Sequence, residues 1–153
     1  MLAAALLILA LALPVQTLDG VARVYPADAA VPKSIFVVSF SKAGSKQASA
    51  WTRRLTEARA GIAASLFQVA VLEDVPKMFR SMAISGISQG LPAAMHDHFW
   101  IALTGGDEWR AQVEPHSAKE AAVFILDGRE RVVWRGHGDV SEAALSEILA
   151  LFP

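Results

Sequence analysis

Two compact apolar runs separated by an amphipathic stretch constrain the fold of this chain more than any other feature. Residues Ile35–Phe40 read IFVVSF and residues Leu66–Leu72 read LFQVAVL, and such runs suit strands that are covered on both faces. Between them, apolar side chains recur at helical spacing, at Ala48, Trp51, Leu55, Ala58 and Ile62. A strand, a helix and a second strand in this order predict a parallel βαβ unit.

The middle of the chain continues this alternation. Asp74 and Pro76 precede an expected helix with one apolar stripe, formed by Val75, Met78, Phe79 and Met82. A Gly- and Ser-rich break is expected over Ser85–Pro92. It is followed by a third predicted strand over His98–Leu103 and a short helix over Asp107–Val113.

The end of the chain adds a hairpin and a helix. Residues Ala121–Leu126 and Arg131–Trp134 are predicted strands joined by a turn at Asp127-Gly128. A final amphipathic helix, capped near residues 139–141, carries Leu145, Ile148, Leu149 and Phe152. The element order predicts an α/β fold in which helices flank both faces of a central mixed β-sheet, in one domain over residues 17–153.

The first residues form a separate apolar segment. From Leu2 to Val15 the chain reads LAAALLILALALPV, which is shorter than the about 20 residues of a spanning helix but matches the apolar part of a secretory signal. Ala10-Leu11-Ala12 gives a small-x-small cleavage pattern, although no Lys or Arg follows Met1. We predict that residues 1–16 are a signal peptide or a membrane anchor. The protein is then expected to be periplasmic or secreted, with membrane association if the segment is retained.

The composition excludes several classes of function. Fourteen Lys and Arg residues against fifteen Asp and Glu residues give a formal net charge of −1, so no basic field attracts nucleic acid. The chain contains no cysteine, which excludes disulfides, thiolate metal sites and a thiol nucleophile. No Gly-rich phosphate-binding motif occurs. We therefore expect no cofactor and no nucleic-acid partner.

The stretch VVSFSKAGSKQASAW, residues 37–51, resembles the first strand, active-site loop and first long helix of thioredoxin-like proteins, whose layout also matches the predicted element order. The resemblance places Ser45 where the first redox cysteine would stand and Ala48 where the second would. Those positions open a helix in the redox enzymes, where the helix N-terminus stabilises a thiolate. With Ser and Ala there, thiol–disulfide exchange and thiol-dependent peroxide reduction are excluded, and no catalytic residue is expected.

A narrower resemblance covers most of the chain after the first segment. SFS followed by Trp51, then His96-Asp97-His98-Phe99, AAVFILDG and VVWRGHG occur in an order similar to that of the mitochondrial ATP synthase assembly factor family. That resemblance implies an assembly or chaperone-like role in the cell envelope, with an unidentified protein client. The expected partner-binding candidates are Ser45, His96, Asp97, His98, Trp100 and Trp109.

Two other readings remain open from the sequence. On a strand, His96 and His98 would share one face and Asp97 would point to the other. The two imidazoles, with His116 or His137 as a third ligand, would then make a histidine-dependent metal-binding protein or enzyme. A polar cluster without metal explains the same residues. The apolar helix faces also suit a module that binds a small molecule or a lipid.

Overall fold

The computed structural model describes residues 11–153, and its elements follow the predicted alternation. The strands are β1 (Leu13–Thr17), β2 (Ala22–Tyr25), β3 (Ser34–Ser39), β4 (Leu66–Val71), β5 (Phe99–Ala102), β6 (Ala122–Leu126) and β7 (Val132–His137). The α-helices are α1 (Lys42–Ala58), α2 (Lys77–Gln89), α3 (Gly106–Gln112) and α4 (Glu142–Ala150). Short 3-10 segments span Ala27–Ala29, Ala60–Ser65 and Ala93–His98.

The described strands form one mixed sheet in the order β2-β1-β5-β4-β3-β6-β7. The adjacent pairs β3–β4 and β4–β5 are parallel, as a helical crossover between consecutive strands requires. The hairpin of β6 and β7 joins β3 in antiparallel orientation, and β1 joins β5 in the same way. The predicted mixed sheet is therefore confirmed, with two further strands at its β5 side.

The all-apolar strands are buried because both faces of the sheet are covered. On one face, Ile35 of β3 packs with Trp51 of α1 and Ile148 of α4. On the other face, Phe36 packs in a cluster that includes Trp109 of α3. Removing a large apolar side chain from water stabilises the fold by about 1.5–3 kcal/mol, so these strands anchor the domain.

Helix α2 differs from its prediction in length and in the side that it buries. It extends into the expected break at 85–92 and ends at Gln89, so the prediction is wrong for residues 85–89. Its Ala83, Ile84 and Ile87 pack against β4 and β5. The buried side lies in this later half, and three residues of the predicted stripe are therefore exposed, Met78, Phe79 and Met82.

The domain begins earlier than residue 17. Leu13 and Val15 are buried, because every second side chain of β1 points into the core beneath the sheet. Residues 13–16 are therefore part of the sheet, although they were predicted to belong to the apolar segment 1–16. Residues 1–10 of that segment lie outside the described residues. Across residues 11–153, no helix combines the length and apolar character needed to cross a membrane.

Candidate functional site

Helix α1 begins at the end of β3, at the position where the resemblance placed redox chemistry. Ser41 is its N-cap: the hydroxyl accepts a hydrogen bond from Gly44 N at 3.0 Å and donates one to the carbonyl oxygen of Ala118. Ser45 lies one turn inside the helix, with its amide bonded to Ser41 O at 2.9 Å. The prediction that Ser45 opens the helix is therefore wrong, and Ser41 and Gly44 occupy the opening at the same i, i+3 spacing.

Gly44 is needed because the chain passes very close to the helix here. A β-carbon at residue 44 would lie 3.1 Å from the carbonyl oxygen of Glu120 and 3.4 Å from that of Ala118. Side chains of α1 hold this segment and the end of β7, since Gln47 Oε1 accepts from Ala121 N at 2.6 Å and Trp51 Nε1 donates to Gly138 O at 2.8 Å. Nothing local in the sequence predicts this hydrogen bond between Gln47 and the Ala121 amide.

A cleft of about 140 Å³ opens beside the start of α1. We call it the edge cleft, and it is lined by Phe40, Arg110, Val113, Glu114, Pro115, His116 and Ala118. The Ser41–Ala118 hydrogen bond joins its rim to the helix cap. The edge cleft thus lies at the carboxyl ends of the parallel strands, which is where ligands meet open α/β sheets.

Among the residues that line the edge cleft, His116 has a buried ring nitrogen without a hydrogen-bond partner in residues 11–153. Its Nδ1 lies 2.8 Å from the carbonyl oxygen of Glu114 and must be the donor there, because a carbonyl oxygen only accepts. In the neutral ring this leaves Nε2 as an acceptor. Nε2 is buried and has no hydrogen-bond partner within residues 11–153. A donor that reached this buried acceptor would offset a cost of about 1–3 kcal/mol.

A second histidine lies next to His116 at the rim. The ring of His137 is 6.1 Å from that of His116, and its Nδ1 is 3.2 Å from Glu120 Oε2. The amide of Ser117 donates to the other oxygen of Glu120 at 3.2 Å. This amide, followed by His137, holds the pKa of Glu120 below its ordinary value. The carboxylate thereby fixes the loop that forms the floor of the edge cleft.

Arg110 supplies positive charge on the opposite side of the edge cleft. Its guanidinium lies 5.2 Å from the centre of the Phe40 ring and 3.0 Å from Asp74 Oδ2. A second contact, 3.3 Å long, reaches Asp107 Oδ1. These contacts orient the guanidinium at the surface and pair its charge with two carboxylates.

The His96-Asp97-His98 sequence is not a strand, so its predicted alternation of faces is wrong. It ends the 3-10 segment Ala93–His98, which follows Pro92. His96 is bonded through Nδ1 to Asp19 Oδ1 at 3.0 Å, and this bond is the main reason that the pKa of His96 is raised. Asp97 is exposed, and its carbonyl oxygen accepts from Trp100 Nε1 at 3.0 Å.

The four histidines do not converge. His96 and His98 lie where β4 and β5 begin, whereas His116 lies beyond the end of β3 and His137 is the last residue of β7. A strand of the length of β4 separates those edges by about 20 Å. Over residues 11–153, no three His, Asp or Glu side chains are grouped to hold a metal ion.

Two further candidates belong to the core. Trp100 is 1% exposed and Trp109 is 0% exposed, and both rings pack in the cluster around Phe36. Neither indole therefore offers surface to a partner. The aromatic area that the sequence predicted around residues 100–109 stabilises the sheet instead.

Known structures share this architecture. The pneumococcal exposed lipoprotein thioredoxin of Streptococcus pneumoniae superposes with a TM-score of 0.60 at 12% identity, covering 93% of this chain and 100% of that one. A thio-disulfide isomerase of Thermus thermophilus gives 0.58 at 15% identity, with 92% of each chain covered. BsSco, a member of the Sco family of cytochrome c oxidase assembly proteins, gives 0.56 at 8% identity, covering 92% and 91%. No protein-family model matches the sequence, and no curated protein is significantly similar to it.

These likenesses define the class of fold. The chain has a thioredoxin-like α/β fold, as the sequence predicted. Within that class it contains no cysteine, and Ser41 and Gly44 stand at the helix opening. Its edge cleft therefore performs no thiol–disulfide exchange.

Proposed function

We propose that this protein is exported and binds a polypeptide client in the cell envelope, in an assembly or chaperone-like role. The observation that carries the proposal is the buried Nε2 of His116, to which no group of residues 11–153 donates a hydrogen bond. A backbone N–H or a hydroxyl of a client, inserted into the edge cleft, would satisfy this atom once the groups that now cover it move aside. The same insertion would bring the client against Phe40 and within reach of Arg110.

The size of the edge cleft favours a side chain or a turn of a polypeptide over a free small molecule. Its volume of about 140 Å³ is well below the 300–1,000 Å³ of typical ligand pockets. Ser45 and Lys46 on α1 lie one turn from the rim and extend the proposed contact surface. Of the other expected partner contacts, Trp100 and Trp109 are buried, and residues 96–98 lie at the other edge of the sheet.

The location in the envelope is supported by the first segment. Its small-x-small pattern ends at Ala12, directly before β1 begins at Leu13, so cleavage there would leave the sheet intact. One neighbour is described as an exposed lipoprotein and another as a member of a family of oxidase assembly proteins. The first description agrees with an envelope location, and the second, with the motif resemblance to the ATP synthase assembly factor family, agrees with an assembly role.

Export is tested with a reporter enzyme that is active only outside the cytoplasm. The full chain fused to alkaline phosphatase is expected to give activity in intact bacteria, and Leu7→Arg with Leu9→Arg is expected to abolish it, because charge disrupts the apolar part of a signal. Val21→Arg, at an exposed residue after the segment, is the matched control and should keep full activity. Equal activity in the double variant and the control would contradict export through this segment.

Client binding is tested by photo-crosslinking. A benzophenone amino acid at Ala118, which lines the edge cleft, is expected to give a discrete adduct in cells, whereas one at Ala143, exposed on α4, is not. His116→Phe should abolish the adduct and change stability by only about 1 kcal/mol, because it removes the donor to the Glu114 carbonyl together with the unpaired buried acceptor. Identical adducts from both positions, or an adduct that persists in His116→Phe, would contradict the proposal.

A further inference from the structure

A second and larger cleft lies at the opposite edge of the sheet, far from the edge cleft. It has a volume of about 260 Å³ and opens where β4 and β5 begin, between α1 and the two 3-10 segments at residues 60–65 and 93–98. We call it the His98 cleft, and it is lined by Thr52, Thr56, Ala63, Ala64, Leu66, Gln68, Leu91, Ala94, Met95, His98 and Phe99. None of these residues is Asp, Glu, Lys or Arg, so the lining favours an uncharged occupant.

The ring of His98 is held in one orientation. It stacks on Phe67 with ring centres 4.4 Å apart and planes 6° from parallel. Its Nδ1 lies 2.9 Å from the carbonyl oxygen of Leu66 and therefore donates its hydrogen there. In the neutral ring Nε2 is the acceptor, and no side chain or backbone group of residues 11–153 donates to it.

The two threonines of the His98 cleft also present acceptors. The hydroxyl of Thr52 donates to Gln68 Oε1 at 3.0 Å, because that oxygen only accepts. The hydroxyl of Thr56 donates to backbone carbonyl oxygens of Thr52 and Arg53, at 2.9 and 3.0 Å. Both hydroxyl hydrogens are thus used within the protein, and no group of residues 11–153 donates to either hydroxyl oxygen. Three acceptors therefore line a largely apolar cavity.

We propose that the His98 cleft binds a small, uncharged, apolar molecule that carries a hydroxyl group. The hydroxyl hydrogen would meet Nε2 of His98, and the apolar body would lie against Leu66, Met95 and Phe99. The volume, just below the 300–1,000 Å³ of typical ligand pockets, suits a molecule of about one ring. The site is independent of client binding at the edge cleft.

Benzyl alcohol and toluene provide a matched pair of probes, because they share the ring and differ in the hydroxyl. Titrated into the full chain, benzyl alcohol is expected to give saturable changes in the amide NMR signals of Thr52, Leu66 and Met95. We expect it to bind about three- to tenfold more tightly than toluene, the ratio that one net hydrogen bond gives. Absence of saturable changes at these amides, or equal affinity for the two probes, would overturn the proposal.

Three variants locate the binding. Ala94→Leu fills the His98 cleft from an exposed position and should abolish binding, whereas Ala93→Leu, on the same 3-10 segment but outside the lining, should leave it unchanged. His98→Phe keeps an aromatic ring on Phe67 and removes the acceptor, so the ratio between the two probes should fall to about one. A preference for benzyl alcohol that survives in His98→Phe, or binding that survives in Ala94→Leu, would show that this cleft is not the site.

Discussion

The hydroxyl of Ser41 accepts a hydrogen bond from the backbone amide of Gly44 at 3.0 Å while donating one to the carbonyl oxygen of Ala118. One side chain thus caps α1 and attaches it to the loop that forms the edge cleft. Thioredoxin-like oxidoreductases use the start of this helix to stabilise sulfur chemistry. In this chain the helix start positions the loop that lines the edge cleft.

Ser41→Ala is expected to lower the free energy of unfolding by about 1–2 kcal/mol, because it removes an N-cap and leaves the carbonyl of Ala118 without its donor. Urea denaturation followed by circular dichroism measures this change. Ser45→Ala is the matched control and should stay within about 0.5 kcal/mol of the wild type, because Ser45 lies inside the helix. A larger loss for Ser45→Ala than for Ser41→Ala would contradict the observed helix start.

Gly138→Ala is expected to destabilise the domain by about 1–2 kcal/mol, since residue 138 has φ of +88°, where a β-carbon is strained. The added carbon would also lie 2.8 Å from Glu120 Oε2 and displace that carboxylate from its contacts with the cleft loop. Gly61→Ala, with no atom within 4 Å of the new carbon and no positive φ, provides the control. Equal melting temperatures for Gly138→Ala and Gly61→Ala would show that a β-carbon at residue 138 is not strained.

Tyr25, the one tyrosine of the chain, is expected to remain un-ionised in the folded protein at pH 11. Burial raises its pKa well above the ordinary 10.0, and the nearby Glu130 adds to this effect. The neutral phenol contributes stability that is complete below pH 10.0, the value for the unfolded chain, and declines as the pH rises further.

Phenolate absorbance near 295 nm should therefore appear at pH 11 only when the protein is unfolded by urea. In Tyr25→Phe that absorbance should be absent in both states, and the steepest loss of stability above pH 10.0 should be reduced. Immediate phenolate absorbance from the native wild type would show that the ring is accessible to hydroxide.

Asp19→Asn is expected to lower the pKa of His96, because the hydrogen bond with the Asp19 carboxylate is the largest cause of its raised value. A raised pKa means that this pair stabilises the fold fully below the unfolded value of 6.5 and ceases to do so as the pH rises through the native pKa. The difference in the free energy of unfolding between wild type and Asp19→Asn should accordingly shrink between about pH 5.5 and about pH 8, on either side of the ordinary histidine pKa of 6.5.

NMR titration of the His96 ring gives its pKa directly. Asp97→Asn, which removes the adjacent but unbonded carboxylate, is the matched control and should leave the His96 titration nearly unchanged. A shift as large in Asp97→Asn as in Asp19→Asn would argue that net charge, and not the hydrogen bond, sets the pKa.

The central strands and α1 could be predicted because local sequence determines them. In β3 every residue is apolar or small, which predicts a strand buried on both faces. In α1 the apolar residues recur at helical spacing, which predicts a helix buried along one side. The short strand Ala22–Tyr25 was missed because most of its residues are partly or fully exposed and carry no clear period. Strand β1 was hidden within a longer apolar segment.

The candidate site was predicted less well because long-range contacts determine it. In SKAGSK, both Ser41 and Ser45 suit an N-cap, and the carbonyl of Ala118, 77 residues away, distinguishes them. Likewise, the alternation of His96, Asp97 and His98 suggests a strand, but the segment after Pro92 turns as a 3-10 helix. His116 drew notice only as a third metal ligand, since burial of its Nε2 depends on the fold around it.

The exposed side of α2 has a chemical consequence for a chain without thiols. Met78 and Met82 are 79% and 69% exposed, against 36% for Met95. Among residues 11–153, these thioethers are the sulfur atoms most open to peroxide or hypochlorous acid, and conversion to the sulfoxide makes an apolar side chain polar. Oxidation would therefore make the exposed side of α2 more polar without changing the buried sheet.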